Sequence, residues 1–155
     1  MLNILSHFKF IIKMSSFNVR LGNTDIQNKQ FYELREVNST KEPVIVFNKN
    51  PDKLYTYVMI DISIPFVNKY GNSEWLHWLV VNNDQVIMDY EPPTPPAGSL
   101  KHKYYICVYE QEHNIKMTKM TGTRENRLNF SMNNFKNKNK LKCIFNIMFI
   151  TEWSH

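Results

Sequence analysis

The sequence is short of glycine, with only four in 155 residues. A glycine-rich phosphate loop concentrates several glycines within a few positions, so a P-loop or dinucleotide-binding loop is effectively excluded. No stretch approaches the roughly 18 apolar residues that cross a bilayer, which predicts no stable membrane insertion. The sequence also lacks a Gly-x-Ser-x-Gly elbow and a His-Glu-x-x-His motif. These absences remove the usual signs of a hydrolase or a metalloenzyme, and we expect a protein that is not an enzyme.

Cysteine is also scarce, since Cys107 and Cys143 are the only two. Each lies inside an apolar run, and they are far apart in sequence. Two such cysteines form neither a disulfide framework nor a zinc site. The pattern predicts two buried free thiols in a reducing compartment, and therefore a cytoplasmic protein without a metal or other cofactor.

The composition is that of a folded chain, with 43% hydrophobic and 14% aromatic residues. The length predicts a single domain, which we place at residues 17–155. Residues 1–16 are interpreted as an N-terminal extension. They lack the features of a good signal peptide, and Met14 would serve as a natural start.

The net charge of +5 favours anionic partners only mildly. Much of the excess lies in residues 136–142, a run of lysines and asparagines that predicts a polar connector rather than the lining of a groove. We therefore expect no nucleic-acid partner.

Short β-forming runs separated by turn residues fill most of the chain. Strands are predicted at residues 17–21, 31–34, 44–47, 54–61, 75–82, 86–88, 104–109 and 143–150. A short helix is predicted at 127–135, and four prolines make residues 90–98 a loop. This pattern favours an antiparallel or mixed β-sandwich with little helix.

Asp61, His77 and His102 carry the candidate chemistry. Asp61 ends a predicted buried strand, and each histidine lies among apolar or aromatic neighbours. Taken singly, a histidine in such a strand is more often a hydrogen-bonded core residue than a ligand. A carboxylate at a strand end more often caps or forms a turn than takes part in a site. The three could also bind a metal, but their wide separation makes that signal unspecific.

The order of several blocks is more informative than any single residue. Asp61-x-x-x-Pro65, residues 74–82 (EWLHWLVVN), Asp89-Tyr90, residues 95–104 (PPAGSLKHKY) and residues 108–111 (VYEQ) follow one another at characteristic spacing. In this arrangement the chain resembles the phosphatidylethanolamine-binding protein family, which includes the Raf kinase inhibitor proteins. Weaker similarity extends from Phe17 to Trp153.

The resemblance implies a mainly β fold, with a large central antiparallel sheet, a second smaller sheet and a few short helices. It also implies a pocket for phosphate, a phosphorylated small ligand or a lipid headgroup. The polar pocket residues would be Asp61, His77 and His102, and the walls would be Trp75, Tyr90, Pro96 and Tyr104. The resemblance further implies that the protein regulates a protein partner, either a kinase or a serine protease. The Ile64–Pro65 peptide bond is predicted to be cis.

The sequence departs from the family pattern at several pocket positions. Ile62-Ser63 follows Asp61 where the family has a second carboxylate, and Leu76 replaces one of two adjacent histidines. Pro92 and Thr94 stand in place of glycines, so one backbone N–H donor is missing. The chain ends at His155, before a C-terminal helix present in many animal members. We therefore expect a more open pocket with altered anion binding.

Two functions remain open from the sequence. The first is a binding module that regulates a signalling partner. The second is a structural or interaction protein that kept the fold and lost its ligand.

Overall fold

The computed structural model describes residues 17–154. The proposed extension at 1–16 lies outside this range. The elements, in chain order, are β1 (Asn18–Leu21), β2 (Thr24–Asp25), β3 (Gln30–Phe31), α1 (Leu34–Val37), β4 (Val44–Val46), β5 (Leu54–Asp61), β6 (Trp75–Val81), β7 (Gln85–Met88), β8 (His102–Gln111), α2 (Arg124–Leu128), α3 (Met132–Lys138) and β9 (Lys142–Thr151).

A six-stranded sheet in the order β3-β9-β8-β5-β6-β7 forms the centre of the molecule. All of its neighbouring strands are antiparallel except β3, which pairs in parallel with β9. β5 and β8 are the middle strands and are buried over most of their length, as continuous apolar runs predict. The predicted large sheet is confirmed, and the short parallel strand makes it a mixed one.

A three-stranded antiparallel sheet, in the order β2-β1-β4, is the predicted second sheet. Its apolar side chains join those of one face of the large sheet in a first core cluster, which includes Val19, Leu21, Tyr57 and Phe149. The other face of the large sheet packs in a second cluster with side chains from the helical region, such as Phe130 and Phe135. The large sheet therefore lies between two separate apolar layers.

The predicted helix at 127–135 is two helices, α2 and α3. Thr123 caps the first by accepting from the backbone N–H of Asn126, and Ser131 caps the second by accepting from that of Asn134. An N-cap residue has extended backbone, so Ser131 interrupts the helical path. α3 also includes Lys136 and Lys138, so the predicted connector at 136–142 is partly helical.

Three further expectations need correction. The predicted strand at 31–34 keeps only Phe31, because Leu34 begins α1 with Glu33 and Glu36 forming a capping box. The Ile64–Pro65 bond is trans, as are all peptide bonds in the described residues; trans is the commoner isomer before proline. Cys107 is buried as predicted, but Cys143 is exposed near the start of β9.

No helix in residues 17–154 is long and apolar enough to span a membrane.

Candidate functional site

One end of the large sheet opens into a cavity of about 190 Å³. Asp61 ends β5, Trp75 begins β6 and His102 begins β8, so three neighbouring strands reach the same edge. Tyr104 lies directly opposite Asp61 in the β5–β8 pair. The cavity is lined by Asp61, Ile64, Pro65, Phe66, Trp75, His77, Thr94, Pro96, His102, Tyr104 and Arg124.

A β-bulge brings His77 to this cavity. Met59 pairs with Trp78 and Ile60 pairs with Leu76, so His77 is the extra residue that has no partner on β5. A bulge of this kind turns two consecutive side chains toward one face. Leu76 accordingly packs in the second core cluster, whereas Trp78 packs in the first. The His77 ring lies against Tyr104, with the ring centroids 5.3 Å apart.

Arg127 and Glu91 stabilise the bulge through hydrogen bonds to its backbone. The Arg127 Nη1 atom donates to the carbonyl oxygens of Leu76 at 2.8 Å and His77 at 3.2 Å, and its Nη2 atom donates to that of Asp89 at 3.0 Å. Its Nε atom lies 3.3 Å from the Glu91 carboxylate. Arg127 is itself buried, so these contacts replace the water that a guanidinium otherwise requires.

Glu91 also fixes two cavity side chains. Its carbonyl oxygen accepts from His77 Nδ1 at 2.8 Å, and its backbone N–H donates to the His77 carbonyl at 2.9 Å. Its carboxylate accepts from Trp75 Nε1 at 2.9 Å. Glu91 therefore fixes the His77 tautomer, with the hydrogen on Nδ1 in the neutral ring.

His77 is almost entirely buried, and burial lowers the pKa of its imidazole. The contact with the Glu91 carbonyl and the charge of Asp61 act in the opposite direction but are smaller. His77 is consequently neutral near physiological pH while the cavity holds no anion. Its Nε2 atom carries a lone pair and has no hydrogen-bond partner in residues 17–154.

Asp61 and His102 form a buried pair. His102 Nδ1 donates to Asp61 Oδ2 at 2.6 Å, and the backbone N–H of Ser63 donates to Asp61 Oδ1 at 2.8 Å. Both carboxylate oxygens are therefore engaged. The pair fixes the orientation of the His102 ring and leaves its Nε2 atom without a protein partner in the described chain.

Tyr104 is fully buried between these groups, and its hydroxyl makes no hydrogen bond of ordinary geometry in the described residues, although the Asp61 carboxylate lies close enough to interact with it. Burial raises the pKa of this hydroxyl well above its ordinary value, and the nearby Asp61 charge adds to the effect. The hydroxyl therefore keeps its proton and is a donor that faces Asp61 and the cavity.

The structure brings six of the seven predicted site residues to the cavity, the exception being Tyr90. Tyr90 is half-buried against the first core cluster, immediately before Glu91. Burial raises the pKa of its hydroxyl. Sequence reasoning missed Phe66 and Arg124, whose guanidinium carbon lies 4.9 Å from the Phe66 ring centroid at the cavity mouth. It also missed the supporting role of Glu91, for which no local motif gives a signal.

The described residues contain no group of three or more His, Cys, Asp and Glu side chains placed to hold a metal ion. The alternative of a metal site at Asp61, His77 and His102 therefore gains no support from the geometry.

Comparison with known proteins supports the fold. No family model matches the sequence. The chain is 32% identical over 105 residues to a Drosophila melanogaster protein named "Putative odorant-binding protein A5", covering 63% of this chain and 49% of that protein. The chain thus spans about half the length of this curated relative.

Solved structures are similar over most of the chain. A carboxypeptidase Y inhibitor in complex with its cognate proteinase matches with a TM-score of 0.66 and 18% identity, over 89% of this chain and 83% of that one. A phosphatidylethanolamine-binding protein from Plasmodium falciparum matches with a TM-score of 0.62 and 15% identity, over 88% and 84%. The chain therefore has the phosphatidylethanolamine-binding protein fold, and the resemblance seen in its sequence blocks is confirmed at the level of that fold.

Proposed function

We propose that this chain is a non-enzymatic binding module whose cavity takes phosphate or the phosphate of a small ligand or lipid headgroup. The proposal rests mainly on one observation: His77, His102 and Tyr104 line one cavity, and both histidines use their Nδ1 atoms for contacts within the protein, with the Glu91 carbonyl and with Asp61. The Nε2 atom of each ring is therefore the nitrogen that remains for a ligand, and the Tyr104 hydroxyl, which has no hydrogen bond of ordinary geometry, could turn toward the same ligand.

Protonation of His77 would accompany the entry of an anion. The neutral ring presents a lone pair at Nε2, which repels a phosphate oxygen. Uptake of a proton turns this atom into a donor, and the anion repays the cost of charging a buried ring. The Tyr104 hydroxyl would donate without any change of protonation, and Arg124 would attract the anion from the mouth.

Asp61 would act through His102 rather than touch the anion directly. Its two oxygens already accept from His102 and from the backbone of Ser63. The carboxylate would therefore fix the orientation of the His102 ring and hold its Nε2 toward the ligand.

The remaining lining is mostly apolar, including Trp75, Pro96 and Phe66. Such walls would cover the organic part of a headgroup, and an aromatic face can receive a cationic group such as ethanolamine. The aliphatic hydroxyl among the lining residues is that of Thr94, and the hydrogen bonds of His77 and His102 go to Glu91 and Asp61 rather than to it, which favours recognition over nucleophilic catalysis.

We further propose that the liganded module regulates a protein partner, either a kinase or a serine protease. The similarity to an inhibitor seen with its proteinase supports a protein partner in general. A reducing, cytoplasmic setting fits two free thiols, of which Cys143 is exposed. Burial raises the pKa of the Cys107 thiol to about 12, which keeps it protonated and unreactive.

Titration with inorganic phosphate, followed by tryptophan fluorescence, tests the pocket. We expect saturable binding to the wild type and its loss in His77→Ala and His102→Ala. His113→Ala is the matched control, because His113 is exposed and distant from the cavity. Circular dichroism of each variant shows whether it is folded.

Two results would contradict the proposal. One is no saturable phosphate binding to the wild type near neutral pH, which would favour a protein that kept the fold and lost its ligand. The other is wild-type affinity in both folded cavity variants, which would place the anion elsewhere.

A further inference from the structure

The two cysteines lie on the same face of the large sheet, and neither lines the cavity. Cys107 belongs to β8, and its side chain packs in the second core cluster together with that of Tyr109. Across the β8–β9 pair, Tyr109 lies opposite Cys143 and Cys107 lies opposite Asn146. The Asn146 amide donates to Cys143 Sγ at 3.9 Å, so these side chains also share a face. The two thiols are therefore diagonal neighbours on adjacent strands.

The register also sets the separation of the two cysteines. Diagonal partners on adjacent strands have Cα atoms roughly 7–8 Å apart, with the Cβ atoms somewhat closer. A disulfide needs Cβ atoms about 3.5–4.5 Å apart, so the start of β9 must shift toward β8. The ladder is already irregular there, because Val108 pairs with Phe145 and Tyr109 with Cys143, which leaves Ile144 as the extra residue. Cys143 is the second residue of β9, so a local shift disturbs little of the ladder.

The two thiols have different surroundings. Cys143 is exposed, so a soluble oxidant reaches its sulfur. Cys107 is buried, and burial raises the pKa of its thiol to about 12, with a smaller effect in the same direction from the charge of Cys143. A protonated thiol is a poor nucleophile toward peroxide, so Cys143 is the thiol that reacts first.

From this arrangement we propose that Cys143 and Cys107 are a redox pair, which a peroxide converts to a disulfide between β8 and β9. First, the Cys143 sulfur attacks hydrogen peroxide and the O–O bond breaks. One oxygen stays on the sulfur as a sulfenic acid, and the other leaves as water with the thiol proton. The Cys107 sulfur then attacks the Cys143 sulfur, the S–O bond breaks, and the hydroxyl leaves as water with the Cys107 proton. Two electrons thus pass from the thiols to the peroxide.

The bridge would act on the segment that supports the cavity. It would close a loop from residue 107 to residue 143, which contains α2 and α3. α2 carries Arg127, whose hydrogen bonds to Leu76 and His77 hold the bulge. In a reducing setting the pair is open, and exchange with a thiol such as glutathione reopens the oxidised form.

Peroxide treatment of the reduced full chain tests the proposal. The protein is then denatured, alkylated with N-ethylmaleimide and examined by mass spectrometry. We expect the treated chain to be lighter by about 2 Da, to take up no N-ethylmaleimide, and to yield a peptide pair joined through Cys107 and Cys143. Dithiothreitol should restore both thiols.

Two single variants separate the roles of the cysteines. Cys107→Ala keeps the exposed thiol but removes the buried one, so its Cys143 should hold a sulfenic acid that dimedone traps. Cys143→Ala is the matched control, and its Cys107 should remain free under the same treatment. Circular dichroism of each variant shows whether it is folded.

The proposal is overturned if both thiols of the wild type remain free at a peroxide concentration that oxidises free cysteine. It is also overturned if Cys143 ends as a sulfinic acid or as a bridge between two chains while Cys107 still takes up N-ethylmaleimide. Peptide mapping of the wild type decides the case even where Cys107→Ala does not fold. No anion is added, so the outcome does not depend on the proposed phosphate pocket.

Discussion

The two ends of the large sheet bury polar side chains in opposite ways. At the end away from the cavity, Gln111 accepts from Thr56 at 2.7 Å and donates to Asn82 at 2.9 Å, and Asn82 in turn accepts from the backbone of Ile115. At the cavity end, the polar side chains of Asp61, His77, His102 and Tyr104 line an open space, and the Tyr104 hydroxyl makes no hydrogen bond of ordinary geometry. A buried polar residue alone therefore does not mark a site, whereas buried polar groups that face a cavity can meet a ligand.

The distribution of unpaired groups supports this contrast. Six buried side-chain atoms in the described chain lack a partner, and they belong to Tyr57, Asn68, Tyr90, Ser99, Tyr104 and Thr151. Tyr104 is the one of the six that lines the cavity, and Thr151 and Ser99 lie close in sequence or in pairing to lining residues. Thr151, for example, pairs with His102 across β8 and β9.

The largest expected loss of stability comes from removing Arg127, whose contacts hold the bulge at the cavity end. Arg127→Met removes a donor from three backbone carbonyls and a charged partner from the Glu91 carboxylate. We expect the free energy of unfolding to fall by about 3–5 kcal/mol, since one partner of a buried ionic network is removed. Urea denaturation measures this. Arg35→Met is the control, because Arg35 pairs with Glu33 at the surface and should cost less than about 1 kcal/mol. Equal losses would mean that Arg127 does not brace the bulge.

The next largest loss of stability is expected at the opposite end of the sheet, where the buried polar side chains are hydrogen-bonded to one another. Gln111→Leu removes the acceptor of the Thr56 hydroxyl and one of the hydrogen-bond partners of Asn82, and we expect a loss of about 2–3 kcal/mol in unfolding free energy. Phosphate affinity of the folded variant should not change, because Gln111 is at the opposite end of β8. Gln27→Leu, at an exposed position, should leave stability nearly unchanged. A drop in phosphate affinity with Gln111→Leu would contradict the separation of the two ends.

The dependence of stability on pH tests whether His77 is buried in its neutral form at the cavity end. Its pKa is lower in the folded protein than in the unfolded chain, because burial disfavours the charged ring. The unfolded state therefore binds the proton more readily, and stability present at neutral pH is lost as pH falls below about 6.5. Unfolding measured across this range should show a shallower loss for His77→Asn than for the wild type. His113→Asn should follow the wild type. Added phosphate should reduce the loss in the wild type, whereas identical pH profiles for all three proteins would contradict a buried neutral His77.

The smallest effect on stability is expected for Tyr104. A second buried tyrosine, Tyr32, provides the contrast. Tyr104→Phe removes an unpaired hydroxyl, so we expect the unfolding free energy to change by no more than about 1 kcal/mol and phosphate affinity to fall about tenfold. Tyr32→Phe removes a hydroxyl that accepts from Gln27 and donates to Asp25, and should cost about 1–3 kcal/mol without changing phosphate binding. The reverse pattern would show that the Tyr104 hydroxyl is structural.

Much of the fold could be predicted from the sequence, since its signals are local. β5 matches its predicted limits at 54–61, because a continuous apolar run between turn residues defines a buried strand on its own. β8 extends two residues beyond the prediction at each end, where polar residues such as Lys103 and Glu110 continue the ladder. The pairing of β3 with β9 joins residues about 120 positions apart, and no local pattern indicates it.

The site could be predicted only in part, for a similar reason. Strand ends carry Asp61 and His102 to one edge, and the order of sequence blocks already grouped them with His77. The bulge at His77 lies within a run of mostly apolar residues. Apolar and polar residues do not alternate there, so the sequence gives no sign of the shift in register. Tyr90 follows β7 in a proline-rich loop whose path depends on tertiary contacts, so its position away from the cavity lining could not be read from the chain.

The central claim is that the two cavity histidines meet a phosphate through their Nε2 atoms. Nuclear magnetic resonance of protein labelled with ¹⁵N at histidine, titrated with inorganic phosphate near neutral pH, tests it most directly. We predict that the Nε2 signal of His77 moves toward the protonated form, that the Nε2 signal of His102 shifts and saturates with it, and that those of His113 remain unchanged. Phosphate that leaves both cavity rings unchanged would contradict the claim.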